Sequence, residues 1–268
     1  MNVRPPEKGG LVRFVCGHFD SQRASQKGRV AVVRYSREEH ALWRKLRSEL
    51  SALHALHACA EIRRAEAIVA LSRERIPSLS EVSAVLRRAT GFCMEPVAGL
   101  VPAREFFGAL ARGVFLSTEY IRDARTPYYT PEPDIVHELV GHAASLAHPT
   151  IAALNRELGR ASVGASADDL RRLESFYWFT LEFGLVLEDG APKALGAGLL
   201  SSVAELTRAC TGGVELRPFS AAVTRMPFRT DAMQKILFVA PSLAALRSPI
   251  NSGLRTKARG RRRSSRAW

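Results

Sequence analysis

Apolar residues along the chain recur mostly at helical rather than alternating spacing. Over 35–71 (YSREEHALWRKLRSELSALHALHACAEIRRAEAIVAL), Leu42, Leu46, Leu50, Leu53 and Leu56 follow one another at steps of three and four, which stripes one face of a helix. Ser36 and Glu39 open that run with a capping box. Residues 75–92 (RIPSLSEVSAVLRRATGF) predict a turn and then a helix, capped by Ser78 or Ser80 and ended at Gly91. PVAGLVP (96–102) reads as a loop or short strand, and AREFFGALARGVFLS (103–117) as an amphipathic helix. Helical periodicity returns over 133–146, 150–160 and 167–188. The Gly-containing stretch KALGAGLLSS (193–202) leads into a helix over SSVAELTRAC, and VELRPF and KILFVA are strand candidates. Nothing repeats internally. The pattern predicts a mainly α fold with a few short β-strands (α+β), in one domain over 31–248. Residues 1–30, which lack sustained periodicity, predict a flexible leader.

Composition narrows this picture. The 268 residues, 46 % of them apolar, suit one large domain with a sizeable core. No stretch approaches the roughly 20 unbroken apolar residues of a membrane span. No apolar segment follows the charges of MNVRPPEKGGLVRF, so a cytoplasmic location is expected. Cys16, Cys59, Cys93 and Cys210 are scattered, without a C-x-x-C pair. They read as reduced thiols, and none lies beside a His or Arg cluster that would mark a nucleophile. The net charge of +13 invites a nucleic-acid reading. However, seven of those charges lie in RTKARGRRRSSR (255–266), leaving +6 for the rest. The end of the chain, 249–268, thus reads as a basic, disordered tail, and a basic nucleic-acid-binding protein is the reading kept outside the enzyme class.

The chemistry concentrates in TPEPDIVHELVGH (130–142). His137 and His142 are five residues apart. The zinc-peptidase pattern H-E-x-x-H needs a spacing of four. On a regular helix a five-residue step separates side chains by about 140°, too far for both imidazoles to reach one ion. Gly141 can end, kink or bulge the helix there. A zinc hydrolase therefore fails on spacing, whereas two histidines and a carboxylate on one octahedral face would suit a non-haem Fe(II) oxygenase. Glu182, set among Phe179, Leu181, Phe183 and Leu185, is the best carboxylate candidate; it would otherwise pair with an arginine. His54 and His57, one turn apart, read as a helix-surface pair rather than a second metal site.

Four stretches carry a family resemblance: PVAGLVPAREFFGALARGVFLSTEYIR (96–122), TPEPDIVHELVGH (130–142), YWFTLEFGL (177–185) and KALGAGLLSS (193–202). With YSREEHALWRKL and IPSLSEVSAVLRRATGF they make the chain, from about 33 to 242, resemble the pterin-dependent aromatic amino acid hydroxylases, most closely bacterial phenylalanine 4-monooxygenases. The resemblance implies that 31–248 is a catalytic domain in which His137, His142 and Glu182 bind Fe(2+). It implies a tetrahydropterin (tetrahydrobiopterin or a bacterial equivalent) stacked on Phe106, touching Gly99, Leu100 and Val101, and near Glu138, which helps to activate O2. It places Tyr177 near the iron. Arg122 would hold the substrate carboxylate, oriented by Asp134, with Thr130 and Ser201 adding hydrogen bonds and Pro133, Trp178 and Phe183 walling the ring pocket. The implied reaction converts L-phenylalanine to tyrosine with O2. The same chemistry giving meta-tyrosine, or acting on tryptophan, is the alternative. A monomer is expected, since the chain matches neither the regulatory domain nor the tetramerisation helix of vertebrate members. It departs from those members at AASLAH (143–148), Glu95 and Leu116.

Overall fold

The computed structural model describes residues 33–130 and 132–247; the predicted leader and basic tail lie outside the described residues. The run expected as one helix over 35–71 is two. α1 (Arg37–His57) begins with the predicted capping box: Glu39 N–H donates to Ser36 Oγ at 3.1 Å, and Ser36 N–H donates to Glu39 Oε2 at 2.6 Å. Ala58 then turns extended, and Cys59 N–H donates to Ala194 O at 3.0 Å before α2 (Ala60–Val69) starts. The backbone is drawn off the helix to pair across the core. Leu42, Leu46 and Leu50 are buried as their spacing predicts, but Leu56 is 63 % exposed because the last turn overruns the core. α3 (Leu79–Ala89) is capped by Ser78 rather than Ser80 and ends before Gly91, whose φ of +74° suits glycine.

The segment 103–117 also divides. α4 (Ala103–Ala111) stops, Gly113 reverses the chain at φ +79°, and Val114–Ser117 form β2, parallel to β1 (Cys93–Pro96). Past residue 132 the chain enters a π-helical turn, His137–Ala143, which continues as α5 (Ala144–Leu146). α6 (Pro149–Ser162) packs on α4 where Gly159 meets the Ala111 and Phe107 backbone, leaving no room for a Cβ. The expected helix over 167–188 ends early. α7 (Ala167–Tyr177) passes into a second π-helical turn, Trp178–Glu182, and then into a hairpin of β3 (Leu185–Glu188) and β4 (Ala191–Ala194). Asp189 and Gly190 turn that hairpin with φ of +51° and +77°, the two-residue geometry that an Asp-Gly pair favours. α8 (Ala197–Leu200) and α9 (Val203–Cys210) follow. The two predicted strands are present as β5 (Glu215–Pro218) and β6 (Ile236–Ala240), in a sheet ordered β4-β3-β6-β5 that is parallel except at β3–β4. The α+β expectation therefore holds. No described helix is long and apolar enough to cross a membrane.

α8 is the wedge on which both π turns close. A Cβ on Gly141 would stand 2.7 Å from Ala197 O and 2.8 Å from its Cβ, and a Cβ on Gly198 would meet the Phe183 ring at 2.5 Å. Gly196 lies against the Glu182 carbonyl just as closely. Three glycines thus let the two turns approach. Gly141→Ala is expected to push α8 away, displace His142 and lower the melting temperature by several degrees, a size that follows from about 1–3 kcal/mol of overpacking. Calorimetry together with iron content would check this; an unshifted melting temperature would mean that the contact is not tight.

Candidate metal centre

The five-residue spacing of the histidines is explained by the first π turn. In a π turn the N–H bonds five residues back, so side chains at i and i+5 fall on one face. Ala144 N–H reaches Leu139 O in this way, as Phe183 N–H reaches Trp178 O at 2.9 Å in the second turn. His137 Nε2 and His142 Nε2 consequently stand 3.0 Å apart. Glu182, ending the other π turn, brings Oε1 to 2.9 Å from His142 Nε2 and Oε2 to 3.5 Å from His137 Nε2. Donors at right angles around an ion about 2.1 Å away stand roughly 3.0 Å apart. The separations of 3.0, 2.9 and 3.5 Å, the last two to the two oxygens of the one Glu182 carboxylate, therefore fit one divalent ion bound on a single face.

Glu138 is a second carboxylate near this pair; one of its oxygens and the two imidazoles lie within 4.8 Å of one another. Two features favour Glu182 as the ligand. It is nearer, and Glu138 Oε1 already accepts from Thr118 N–H at 3.2 Å, while the Thr118 hydroxyl proton goes to Pro133 O at 2.7 Å. Burial pushes Glu138 up to about 7, and His142 and then Thr118 only partly offset it. Burial also pushes Glu182 up, but His142 beside it outweighs that and holds its carboxyl below the ordinary value. His137 is pushed down to about 4, chiefly by burial, which keeps its imidazole neutral as a metal ligand requires.

Neighbouring groups orient the ligands. Ser201 Oγ donates to Ala197 O at 2.8 Å, so at 2.9 Å it accepts from His137 Nδ1–H. That fixes the tautomer and leaves Nε2 bare for the ion. His137 N–H donates to Asp134 Oδ1 at 3.1 Å. Phe115 lies over the His142 ring at 4.6 Å. Ser201→Ala is expected to weaken ferrous iron binding by about 10- to 100-fold, measured by competition with a chelator; unchanged affinity would remove Ser201 from this orienting role.

Several of the other expected site residues connect to this centre directly or through a neighbour. Asp134, fully buried, grips Arg122 by a fork: Nε to Oδ2 at 2.8 Å and Nη2 to Oδ1 at 2.6 Å. The same carboxylate accepts from Arg122 N–H at 2.9 Å and from His137 N–H, so one aspartate sets both the arginine and the metal ligand. Pro133 O accepts from Thr118 Oγ1, and Thr130 Oγ1 donates to Glu132 O, tying this loop together. Trp178 lies 4.8 Å from Phe183 and stacks on Phe228 at 4.7 Å, with Nε1 anchored on Gln234 Oε1 at 3.0 Å. Phe106 packs edge-on against Tyr177 at 5.4 Å, and Tyr177 lies 6.2 Å from the His142 ring. The Tyr177 hydroxyl is buried without a partner, and burial raises it well above the usual phenol range. Gly99, Leu100 and Val101 form the loop before α4, with Leu100 39 % exposed; no described hydrogen bond links them to the ligands.

Sequence reading missed Thr118, Phe115, Gln234 and Phe228. It also misplaced His54, which is 1 % exposed rather than on the surface. His54 Nδ1 lies 2.6 Å from Glu66 Oε1, and Nε2 lies 2.7 Å from Leu200 O, beside Ser201. Its signal was available: it extends the Leu46–Leu50 stripe by another step of four.

Residues 20–257 match the family model for biopterin-dependent aromatic amino acid hydroxylases, and the chain belongs to that family. It is 41 % identical over 227 residues to tyrosine 3-monooxygenase of Homo sapiens, covering 82 % of this chain and 43 % of that protein, so it spans less than half of that relative's length. The fold is similar to the cold-active phenylalanine hydroxylase of Colwellia psychrerythraea 34H, with a TM-score of 0.79, 32 % identity and coverage of 83 % of this chain and 86 % of that one. It is also similar to phenylalanine hydroxylase of Chromobacterium violaceum with bound iron(III) and 7,8-dihydrobiopterin, with a TM-score of 0.76, 31 % identity and coverage of 81 % and 82 %.

Proposed function

We propose that the protein is an Fe(II)- and tetrahydropterin-dependent monooxygenase that hydroxylates the ring of L-phenylalanine with O2 to give tyrosine. One observation carries the reading: His137, His142 and Glu182 converge from two facing π turns to within 3.5 Å of one another, with Phe106 and Arg122 close to that centre. His137, His142 and Glu182 would hold the iron and leave one face open. Bound together, ferrous iron and a tetrahydropterin supply the electrons and the dioxygen activation by which one oxygen atom enters the ring and the other is reduced.

The chain's own residues bind, orient and exclude water. Phe106, with Gly99, Leu100 and Val101, would seat the pterin, and Glu138 would face it. Near pKa 7, the Glu138 carboxyl can hold or release a proton beside the open face. Arg122 would take the substrate carboxylate on the end of its guanidinium, Nη1 with the second Nη2 proton, since Nε–H and the other Nη2–H are spent on Asp134. Thr130 and Ser201 would border that carboxylate. Tyr177, Phe106 and Phe115 keep bulk water from the ligands. Pro133, Trp178 and Phe183 would wall the substrate ring.

Phenylalanine is favoured over tyrosine by the polarity of that wall. Its one indole N–H already donates to Gln234, so a ring hydroxyl would be buried unpaired. The likeness to tyrosine 3-monooxygenases supports a second reading with tyrosine as substrate. The test is to incubate the Fe(II)-loaded protein with a tetrahydropterin, O2 and phenylalanine, tyrosine or tryptophan in turn, and to separate the products. Tyrosine from phenylalanine as the fastest reaction is the expected result. Meta-tyrosine, 3-hydroxytyrosine or a hydroxytryptophan as the main product would replace it.

A further inference from the structure

Between α1 and α2 the surface opens into a hollow of about 450 Å³, walled by Arg47, Ser51, Arg63, Glu66, Leu71, Arg73 and alanine methyls. None of these residues belongs to the metal centre. Arg47 is the unusual member. It sits one step of four beyond Trp43 on the buried face of α1, where the pattern calls for an apolar side chain, and it is 7 % exposed. Its Nε and Nη1 are shut off from solvent and bond to nothing, and the residue lines the hollow. Burying a guanidinium without a counter-charge is costly.

The protein's own acids supply that charge only in part. Glu66 acts on Arg47 only through space, and its Oε1 is engaged by His54 Nδ1 at 2.6 Å. Arg73 acts on Arg47 by like-charge repulsion. Arg63 pairs with Glu188 at 3.2 Å, a residue outside the hollow. Arg47, Arg63 and Arg73 thus stand against Glu66 in the hollow and Glu188 just outside it, a surplus of one positive charge that a phosphate anion balances with hydrogen bonds to match. The volume exceeds that of a bare phosphate and lies within the roughly 300–1,000 Å³ of small-molecule sites. Leu71 and the alanine methyls offer an apolar wall to whatever carries the phosphate.

We propose that this hollow binds a small phosphomonoester, its phosphate held by Arg47, Arg63 and Arg73. Calorimetric titration of the full chain with inorganic phosphate and with glycerol 3-phosphate, at about 0.15 M ionic strength, tests it. Both probes should bind the wild type, the ester at least as tightly. Arg73→Gln, an exposed change, should weaken both by about tenfold, and Arg47→Met should abolish binding. Arg47→Met removes an unpaired buried charge, so without phosphate it should melt at or above the wild-type temperature. Phosphate should raise the melting temperature of the wild type and not of that variant. Absence of binding by either probe would overturn the proposal. So would equal binding by all three proteins, as phosphate attracted to the basic run 255–266 would give. Weaker binding of the ester than of inorganic phosphate would overturn the assignment to an ester.

Discussion

Glu182→Ala is expected to strip the protein of iron and, with it, of hydroxylase activity. The substitution removes the only anionic donor of the three and leaves two imidazoles 3.0 Å apart. The loss should exceed the roughly 10- to 100-fold that follows when a group merely supporting a ligand is removed. Metal analysis after ferrous reconstitution reads the effect directly. Glu138→Gln is the informative partner, because Glu138 lies within the same cluster but is held off by Thr118. It should keep one iron per chain while losing turnover. The opposite pattern, iron retained in Glu182→Ala and lost in Glu138→Gln, would exchange the two carboxylates. Full turnover with normal iron in Glu182→Ala would remove Glu182 from the centre altogether.

Arg122→Lys is expected to lower kcat/KM for phenylalanine by about 10- to 100-fold, mainly through KM. That range corresponds to one charge-assisted hydrogen bond, about 1.5–3 kcal/mol. On the proposed reading arginine does two things at once: Nε and one Nη2 proton fork onto Asp134 at 2.8 and 2.6 Å, and the end of the guanidinium is left for the substrate. A lysine ammonium keeps the charge but lacks the planar fork, so it cannot satisfy both. Lysine is a cleaner test than alanine. Alanine would leave Asp134, which is 0 % exposed, buried and unpaired at a cost of about 3–5 kcal/mol, and would mix instability with lost binding. Iron content should stay normal in Arg122→Lys because Asp134 still accepts from His137 N–H. An unchanged KM would take Arg122 out of the substrate role.

Much of the site was readable in the residues, and the exceptions share a physical cause. The histidine pair was visible, and its spacing already excluded a regular helix. Gly141 marked where the helix could bulge; what the residues did not give was the form, a π turn against which α8 closes through Gly141, Gly196 and Gly198. Glu182 stood out because a lone acid among aromatics needs a partner. Helix boundaries were lost where short apolar runs such as VFLS and LVLE fit helix and strand patterns equally. The β3–β4 hairpin had its Asp-Gly signal, which the helical pattern running over 167–188 masked. Ser201 on His137 and His54 on Leu200 O join residues 64 and 146 positions apart; no local pattern encodes such pairs. Arg47 and His54 both occupy steps of four on the buried face of α1. A polar residue at an apolar position is therefore the signal to follow: His54 bonds to Leu200 O beside Ser201, and Arg47 lines the hollow proposed to take a phosphate.

The central claim is one ferrous ion held by two imidazoles and a carboxylate. X-ray absorption at the iron edge of the reconstituted chain measures this most directly. The account predicts one iron per chain, surrounded by nitrogen and oxygen donors only, with the outer-shell scattering of two imidazoles. A sulfur donor, a single imidazole, or failure to retain iron at all would contradict it.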